Sequence, residues 1–223
     1  MKTKILTSSL IALFILLGTA ALTSCSKDNS PLLEGAFDIN SPEGYFLCVK
    51  ASGDNGFDRR ILLYEFEPGK MVKFYHAYGD DILPYTLVDD NTIVVGDNRF
   101  VFDGNLITSN REDFKEMILI EAPESNQLAG KTYAGTYHSG DGSVLHQNFF
   151  YRFASGGNTV DAGFKVGTAA VRTESYTPIG NFAALVYLDG TSDNEFMVLV
   201  NGKLEVNYKS GGPQLHYGTF AQQ

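Results

Sequence analysis

Tryptophan is absent from this 223-residue chain, and cysteine occurs only twice, at Cys25 and Cys48. So few cysteines exclude a disulfide-dense scaffold. The four histidines, His76, His138, His146 and His216, form no His-x-x-x-His or Cys-His spacing, so the common zinc patterns are missing and no metal is expected. Basic residues are scarce, 17 Lys+Arg against 26 Asp+Glu, for a formal net charge of −9. Such a surface repels phosphate backbones, so nucleic acid is not an expected partner. No P-loop, nucleotide fingerprint or nucleophile elbow occurs, and neither a cofactor nor enzymatic chemistry is expected. What is plentiful is aromatic bulk, 16 Phe and 12 Tyr, enough to fill a sizeable core.

The longest purely apolar opening run is Leu10 to Leu17, preceded by Lys2 and Lys4 and followed by the small residues Gly18 to Ala21. A positive start, a short apolar core and a small-residue exit compose a secretory signal, expected over 1–24. A membrane span needs about 20 mostly apolar residues, and the flanking Thr and Ser dilute this stretch. The exit, Leu22-Thr23-Ser24-Cys25, resembles the lipobox of bacterial lipoproteins. That resemblance implies cleavage before Cys25, a diacylglycerol thioether on its sulfur and an acylated new N-terminus, holding the chain to a membrane. Two or more acyl chains anchor stably where one does not. Residues 25–31 would then be a lipidated linker. Within it, Ser26-Lys27-Asp28-Asn29-Ser30 resembles the short acidic export tag of surface lipoproteins in the Bacteroidota. The tag implies an outer-membrane lipoprotein exposed at the cell surface. Its single acid, Asp28, leaves the periplasm-facing leaflet as the alternative.

Cleavage removes two lysines and no acids, leaving 15 Lys+Arg against 26 Asp+Glu, formally −11. It also leaves Cys48 without an intramolecular partner. Cys48 sits in the apolar run Tyr45-Phe46-Leu47-Cys48-Val49, so it reads as a small buried hydrophobe rather than a reactive thiol.

The rest of the chain repeats itself. Leu62–Phe66 (LLYEF) matches Phe149–Phe153 (FFYRF), and 85–95 matches 176–186. Phe102–Leu106 (FDGNL) matches Val200–Leu204 (VNGKL), and Leu33-Glu34-Gly35 matches Leu128-Ala129-Gly130. The order is conserved between the halves, which predicts a tandem duplication over 32–127 and 128–223, jointed at Pro123–Gln127. Each copy alternates as strands do. Leu204, Val206 and Tyr208 share one face against Lys203, Glu205 and Asn207. Turn residues punctuate the runs, most clearly Asn201-Gly202 between two alternating strands.

In the second copy the pattern predicts eight strands, at 132–138, 147–154, 159–166, 173–178, 182–188, 195–200, 203–209 and 214–220. Only Ser109 to Met117 reads as a helical turn. The expected fold is all-β, two tandem small antiparallel up-and-down barrels, with one larger pseudo-symmetric barrel or a sandwich as the alternative. Phe182–Leu188 and Phe196–Val200 are apolar on both faces, as suits barrels packed on each other or on a partner. The Leu-x-Gly openings, the FYRF strand and the NGKLEVNY hairpin resemble the lipocalin-like domains of Bacteroidota lipoproteins. Lipocalins proper carry Gly-x-Trp on the first strand, where this chain has Gly35-Ala36-Phe37 and Gly130-Lys131-Thr132-Tyr133.

Three motifs invite chemistry and are better read as turns. His138-Ser-Gly-Asp-Gly-Ser143 groups triad residue types within one loop, where they cannot stack as nucleophile, base and orienter. Asp189–Glu195 alternates oxygens but has Asn194 where a calcium loop needs glycine. Ser52–Asp58 reads the same way. The remaining candidate is a lumen, because a barrel of about eight strands is either filled or holds one small ligand. Alternation points Tyr64, Phe66, Phe74, His76, Tyr151, Phe153, Phe164 and Tyr208 inward. The expected function is therefore non-enzymatic binding, of a small apolar ligand in a lumen. The alternative is a structural subunit of a surface complex, with filled barrels and a protein partner.

Overall fold

The structure is a computed structural model and describes residues 37–53, 59–188, 193–211 and 215–223. Every regular element among them is a strand. The first sheet comprises β1 (Tyr45–Ser52), β2 (Arg59–Glu67), β3 (Met71–His76), β4 (Gly79–Asp89), β5 (Thr92–Val95), β6 (Asn98–Asp103), β7 (Leu106–Ser109) and β8 (Phe114–Glu121). The second comprises β9 (Thr132–His138), β10 (Val144–Phe153), β11 (Thr159–Gly163), β12 (Arg172–Ser175), β13 (Thr177–Ile179), β14 (Ala183–Tyr187), β15 (Asn194–Val200), β16 (Lys203–Lys209) and β17 (Leu215–Gln222).

Both sheets are antiparallel meanders that curl almost shut, so the fold is two tandem β-barrels rather than one fused barrel. In each, the last strand returns to pair with the first, β8 with β1 and β17 with β9. The remaining gaps differ. Barrel 1 is unlaced between β7 and β8, and barrel 2 where the chain passes from β12 to β13.

The duplication is visible atom by atom. The backbone N–H of Tyr85 donates to Lys70 O at 2.9 Å, and that of Tyr176 to Asn158 O at 2.9 Å. The Tyr85 ring meets Phe66 edge-on at 5.7 Å, and the Tyr176 ring meets Phe153 edge-on at 5.5 Å. Tyr85 bends an unbroken β4, which pairs with β3 before it and β5 from it onward. Tyr176 breaks the same strand into β12 and β13, hence nine strands in barrel 2 where alternation predicts eight.

One of the sequence matches slips by a residue. Asp103 pairs with Leu106 across its hairpin and Val200 with Lys203 across the other, so Asp103 is level with Val200, not with Asn201. The core confirms the shift. Leu106, matched by letter to the fully buried Leu204, is 62% exposed, and Ile107 points inward instead. A slip of one residue exchanges the two faces of a strand, so similarity at the turns alone cannot set register. Asn201 and Gly202 both adopt positive φ, +50° and +74°, as the tight hairpin requires.

The helical turn expected over Ser109–Met117 is replaced by a turn leading into β8. Asn110 accepts from Arg99 N–H at 2.8 Å and donates to Asp97 O at 3.1 Å, tying the loop to β6 instead. Phe114 then enters the core, stacked 6.0 Å from Phe100.

Three apolar clusters result. Each barrel has its own, and a third lies on the seam between them. Strand β1 shows why its run is continuously apolar. Leu47 and Val49 face the lumen of barrel 1, whereas Phe46 and Cys48 face barrel 2. Opposite them stand Phe182, Ala183, Leu185, Phe196 and Val198, so the doubly apolar runs of the second copy are explained by barrel packing on barrel. Phe46 meets Phe182 edge-on at 5.1 Å. Gly180, at φ +53°, makes room for it, since a Cβ there would come within 2.6 Å of the Phe46 ring. Burial in this seam pushes the Cys48 thiol up to about 12, so it is packing, not chemistry.

Candidate functional site

Of the residues alternation aims inward, Tyr64, Phe66, Tyr151 and Phe153 lie in the barrel cores, Phe74 and Tyr208 pack against them, His76 lies at the rim and Phe164 lies outside. In barrel 1, Tyr64 and Phe66 are each 2% exposed. Phe74 lies on Tyr64 at 4.7 Å and His76 on Phe74 at 4.9 Å, forming a ladder of rings toward the mouth. His76 Nε2 faces Asp81 at 3.4 Å and its Nδ1 accepts the Tyr78 N–H at 3.2 Å, so it is a partnered rim residue. In barrel 2, Tyr151 and Phe153 are fully buried. Tyr208 is half-buried and donates to Asp193 at 2.8 Å, with its ring over His216 at 5.7 Å. Burial and the Asp193 carboxylate push the Tyr208 hydroxyl up to about 12.

Phe164 is 52% exposed. The expected strand through 166 stops at Gly163, and the alternation that aims Val160 and Ala162 inward ends with it. Phe164 instead lies on the outer end of barrel 2 against His146 (4.9 Å) and Phe149 (5.8 Å). The β9–β10 and β11–β12 connections lie at this same end of the meander. The start of β10 carries Val144 and Leu145, and the β11–β12 connection carries Phe164, Val166 and Val171, all exposed, so the end of barrel 2 is unusually apolar.

Both lumina are occupied by side chains, and the two copies do it differently. In barrel 1, Asn98 Nδ2 donates to Tyr64 Oη at 3.4 Å. The level position in barrel 2 holds a charge. Glu195, 1% exposed, accepts the Tyr137 hydroxyl at 3.0 Å and the Tyr151 hydroxyl at closer range on Oε1. Its Oε2 accepts from Arg172 at 2.6 Å. Register explains how Arg172 arrives there. Across the sheet, Tyr64 is level with Phe74 and Asp81, and Tyr151 with Ala162 and Arg172. Where barrel 1 has a ring, barrel 2 has a methyl group, and the guanidinium crosses the space above it.

Burial, then the Glu195 charge, drives the Tyr137 and Tyr151 hydroxyls well above their ordinary range. Burial works against the Arg172 charge, but Glu195 outweighs it and holds the guanidinium protonated. Two hydroxyls and a guanidinium occupy this carboxylate, which leaves it a plug for the lumen rather than a base. Sequence reading missed it because Glu195 lies at the foot of an apolar strand beside the Asp189–Asp193 oxygens. The signal was there: an acid in phase with Met197 and Leu199 on the inward face.

The turn at His138–Ser143 is a hairpin loop, with Ser143 N donating to Asp141 at 3.0 Å and Gly142 N to Ser139 O at 2.8 Å. Residues 189–192 and most of the 52–58 motif lie outside the described residues, as does Cys25. No cluster of three or more metal-ligating side chains forms among the described residues.

The polar groups that join the barrels are as ordered as the cores. Beyond the end of β3, strand β2 has an unpaired edge, and the carboxamide of Asn207 covers it. Ile61 N donates to Asn207 Oδ1 at 2.6 Å, and Asn207 Nδ2 donates to Arg59 O at 2.6 Å. Lys50 bridges Glu205 (2.9 Å) and Glu116 (3.0 Å), and Thr219 donates to Glu205 at 2.6 Å. Burial pulls the Lys50 pKa down, but its bonds to Glu205 and Glu116 more than compensate and raise it. Beside this clamp a groove of about 400 Å³ opens along the seam, continuing past Arg59 and Tyr217 into a second depression of about 470 Å³. The sequence matches no known protein family model, and no curated protein is significantly similar to it.

Proposed function

We propose that this chain is a non-enzymatic, lipid-anchored protein of the bacterial cell envelope, related to the lipocalin-like outer-membrane lipoproteins of the Bacteroidota. It is held through Cys25 at the outer membrane and faces the cell surface. Its two barrels act together as an interaction subunit for a protein partner. The observation that carries the reading is the packing of both lumina, where Tyr64, Phe66, Tyr151 and Phe153 are at most 2% exposed and Glu195 is sealed by three donors. Barrels of this size either fill or bind, and filled ones favour the interaction role over storage of a small apolar ligand. The exposed apolar end of barrel 2, at Val144, Leu145, Phe164, Val166 and Val171, supports a docking face there. The anchor rests on the Leu22–Cys25 motif and its preceding apolar run.

Native mass spectrometry of freshly purified residues 30–223 tests the filled-lumen reading. A bare-chain mass is expected, and added mass lost on denaturation would overturn it. Cys25→Ala should leave the protein soluble and unacylated. A mutant still in the membrane fraction with a lipidated mass removes the anchor. Crosslinking on intact cells should give a partner band that Phe164→Glu with Val171→Glu abolishes. A band unchanged by that pair moves the docking face elsewhere.

A further inference from the structure

The chain is acidic overall, yet the groove along the seam is not. Among the described residues lining its two depressions stand five cationic side chains, Lys50, Arg59, Arg60, Lys115 and Lys203, against only two carboxylates, Glu116 and Glu205. Both carboxylates are already joined to Lys50, so they oppose that lysine first. From the geometry we infer that this groove binds an acidic oligosaccharide, one carrying carboxylate or sulfate groups on successive sugars.

Three observations select that ligand class over other anions. The site is elongated, since the depressions share Arg59 and Tyr217 and together span the outer face from β1 and β2 to β9 and β16. It therefore suits a chain rather than a single ion. A peptide strand would seek a free sheet edge, but Asn207 already occupies the β2 edge at Arg59 and Ile61. A nucleic acid would seek bare rings and a cationic protein. Here the Tyr217 ring is engaged by His138 (5.3 Å, near-parallel) and Arg59 (6.0 Å), and the net charge is −9. What the groove offers is several cations together with the hydroxyls of Thr136 and Tyr217, and those of Thr219 and Ser52, which donate to Glu205 and to Asp113 O and keep acceptor capacity. That pattern matches a polyhydroxyl chain bearing intermittent negative charge.

The test uses the mature chain, with a galacturonate hexasaccharide as probe in isothermal titration at low salt. Saturable binding is expected, weakening as ionic strength rises. The exposed pair Arg59→Gln and Lys203→Gln should weaken it about tenfold, as the loss of two solvent-exposed ionic contacts predicts. Unchanged melting of that variant establishes that the site, not the fold, was altered. No binding of the hexasaccharide, or equal binding of its neutral methyl ester, overturns the inference. A hexaglutamate peptide bound as tightly as the sugar also overturns it, since charge alone would then suffice.

Discussion

Barrel 1 and barrel 2 descend from one pattern, yet they stabilise the same interior layer by opposite means. At one level of the lumen, barrel 1 sets Tyr64, Phe74 and Asn98, a neutral and mostly aromatic layer. At the matching level, barrel 2 sets Tyr151, Ala162 and Glu195, and draws in Arg172 from the position held in barrel 1 by Asp81. Asp81 stays at the rim beside His76. Three substitutions are thus coupled. A buried carboxylate requires a counter-charge, the guanidinium requires space, and the ring-to-methyl change at Phe74/Ala162 supplies it. The lesson is that duplicated cores diverge in compensated sets, because any one of these changes alone leaves a void or an unpaired charge.

The sharpest way to break this symmetry is Arg172→Met, which strands Glu195 without its counter-charge. Denaturant melts should show a loss of about 3–5 kcal/mol. Adding Ala162→Phe and Glu195→Asn to it transplants the barrel 1 layer, and most of that loss should return. A triple variant as unstable as the single would refute the equivalence of the two layers.

Asn207→Ala comes next, since it removes two hydrogen bonds and uncovers the β2 edge. A cost of about 2–3 kcal/mol is expected in the same melts, with faster amide exchange at Ile61. If exchange at Ile61 is unmoved, the carboxamide is not what seals that edge.

Lys50 gives a smaller, pH-dependent effect. Its folded pKa is raised, so its contribution is complete below the ordinary lysine value of about 10.4. It is then lost as pH climbs through the raised one. The difference in melting temperature between wild type and Lys50→Met should be flat around neutral pH and shrink above that value. A difference that already shrinks across neutral pH, well below the lysine range, would contradict the clamp.

The smallest change concerns Tyr133, whose buried hydroxyl has no hydrogen-bond partner among the described residues and is pushed by burial up to about 12. Leu47 holds the level position in barrel 1 and makes no such demand. Tyr133→Phe should be neutral or stabilising by up to about 1 kcal/mol. A clear destabilisation would mean the hydroxyl has a role in the barrel 2 lumen that its surroundings do not reveal.

Much of this architecture was legible in the sequence because period-two alternation and turn residues act locally. Lys203 to Lys209 is a strand with the bounds its alternation predicts, and the Asn201-Gly202 hairpin follows from φ alone. The doubly apolar runs announced a second packed surface before its partner was known. Other features depend on neighbours distant in the chain. Phe164 lost its inward place when β11 stopped at Gly163. The Glu195–Arg172 pair exists only because strands 23 residues apart share a face. Asn207 reads as one polar letter in an alternating strand, and nothing local reveals that it meets the backbone of a residue 146 positions earlier.

The asymmetry of the seam bears on how a duplicated chain avoids tangling. Homologous repeats invite exchange of equivalent strands during folding, and β1 and β9 are such a pair. Their lumen faces are similar enough to compete, but their outer faces are not. Strand β1 presents Phe46 and Cys48 to the neighbouring barrel, whereas β9 presents Ala134, Thr136 and His138 to the groove. By register Phe46 is level with Thr132, so a swapped β9 would set a hydroxyl against Phe182, and a swapped β1 would put a phenylalanine on the outer face of barrel 2. The seam therefore penalises the wrong assignment of strands as well as stabilising the right one.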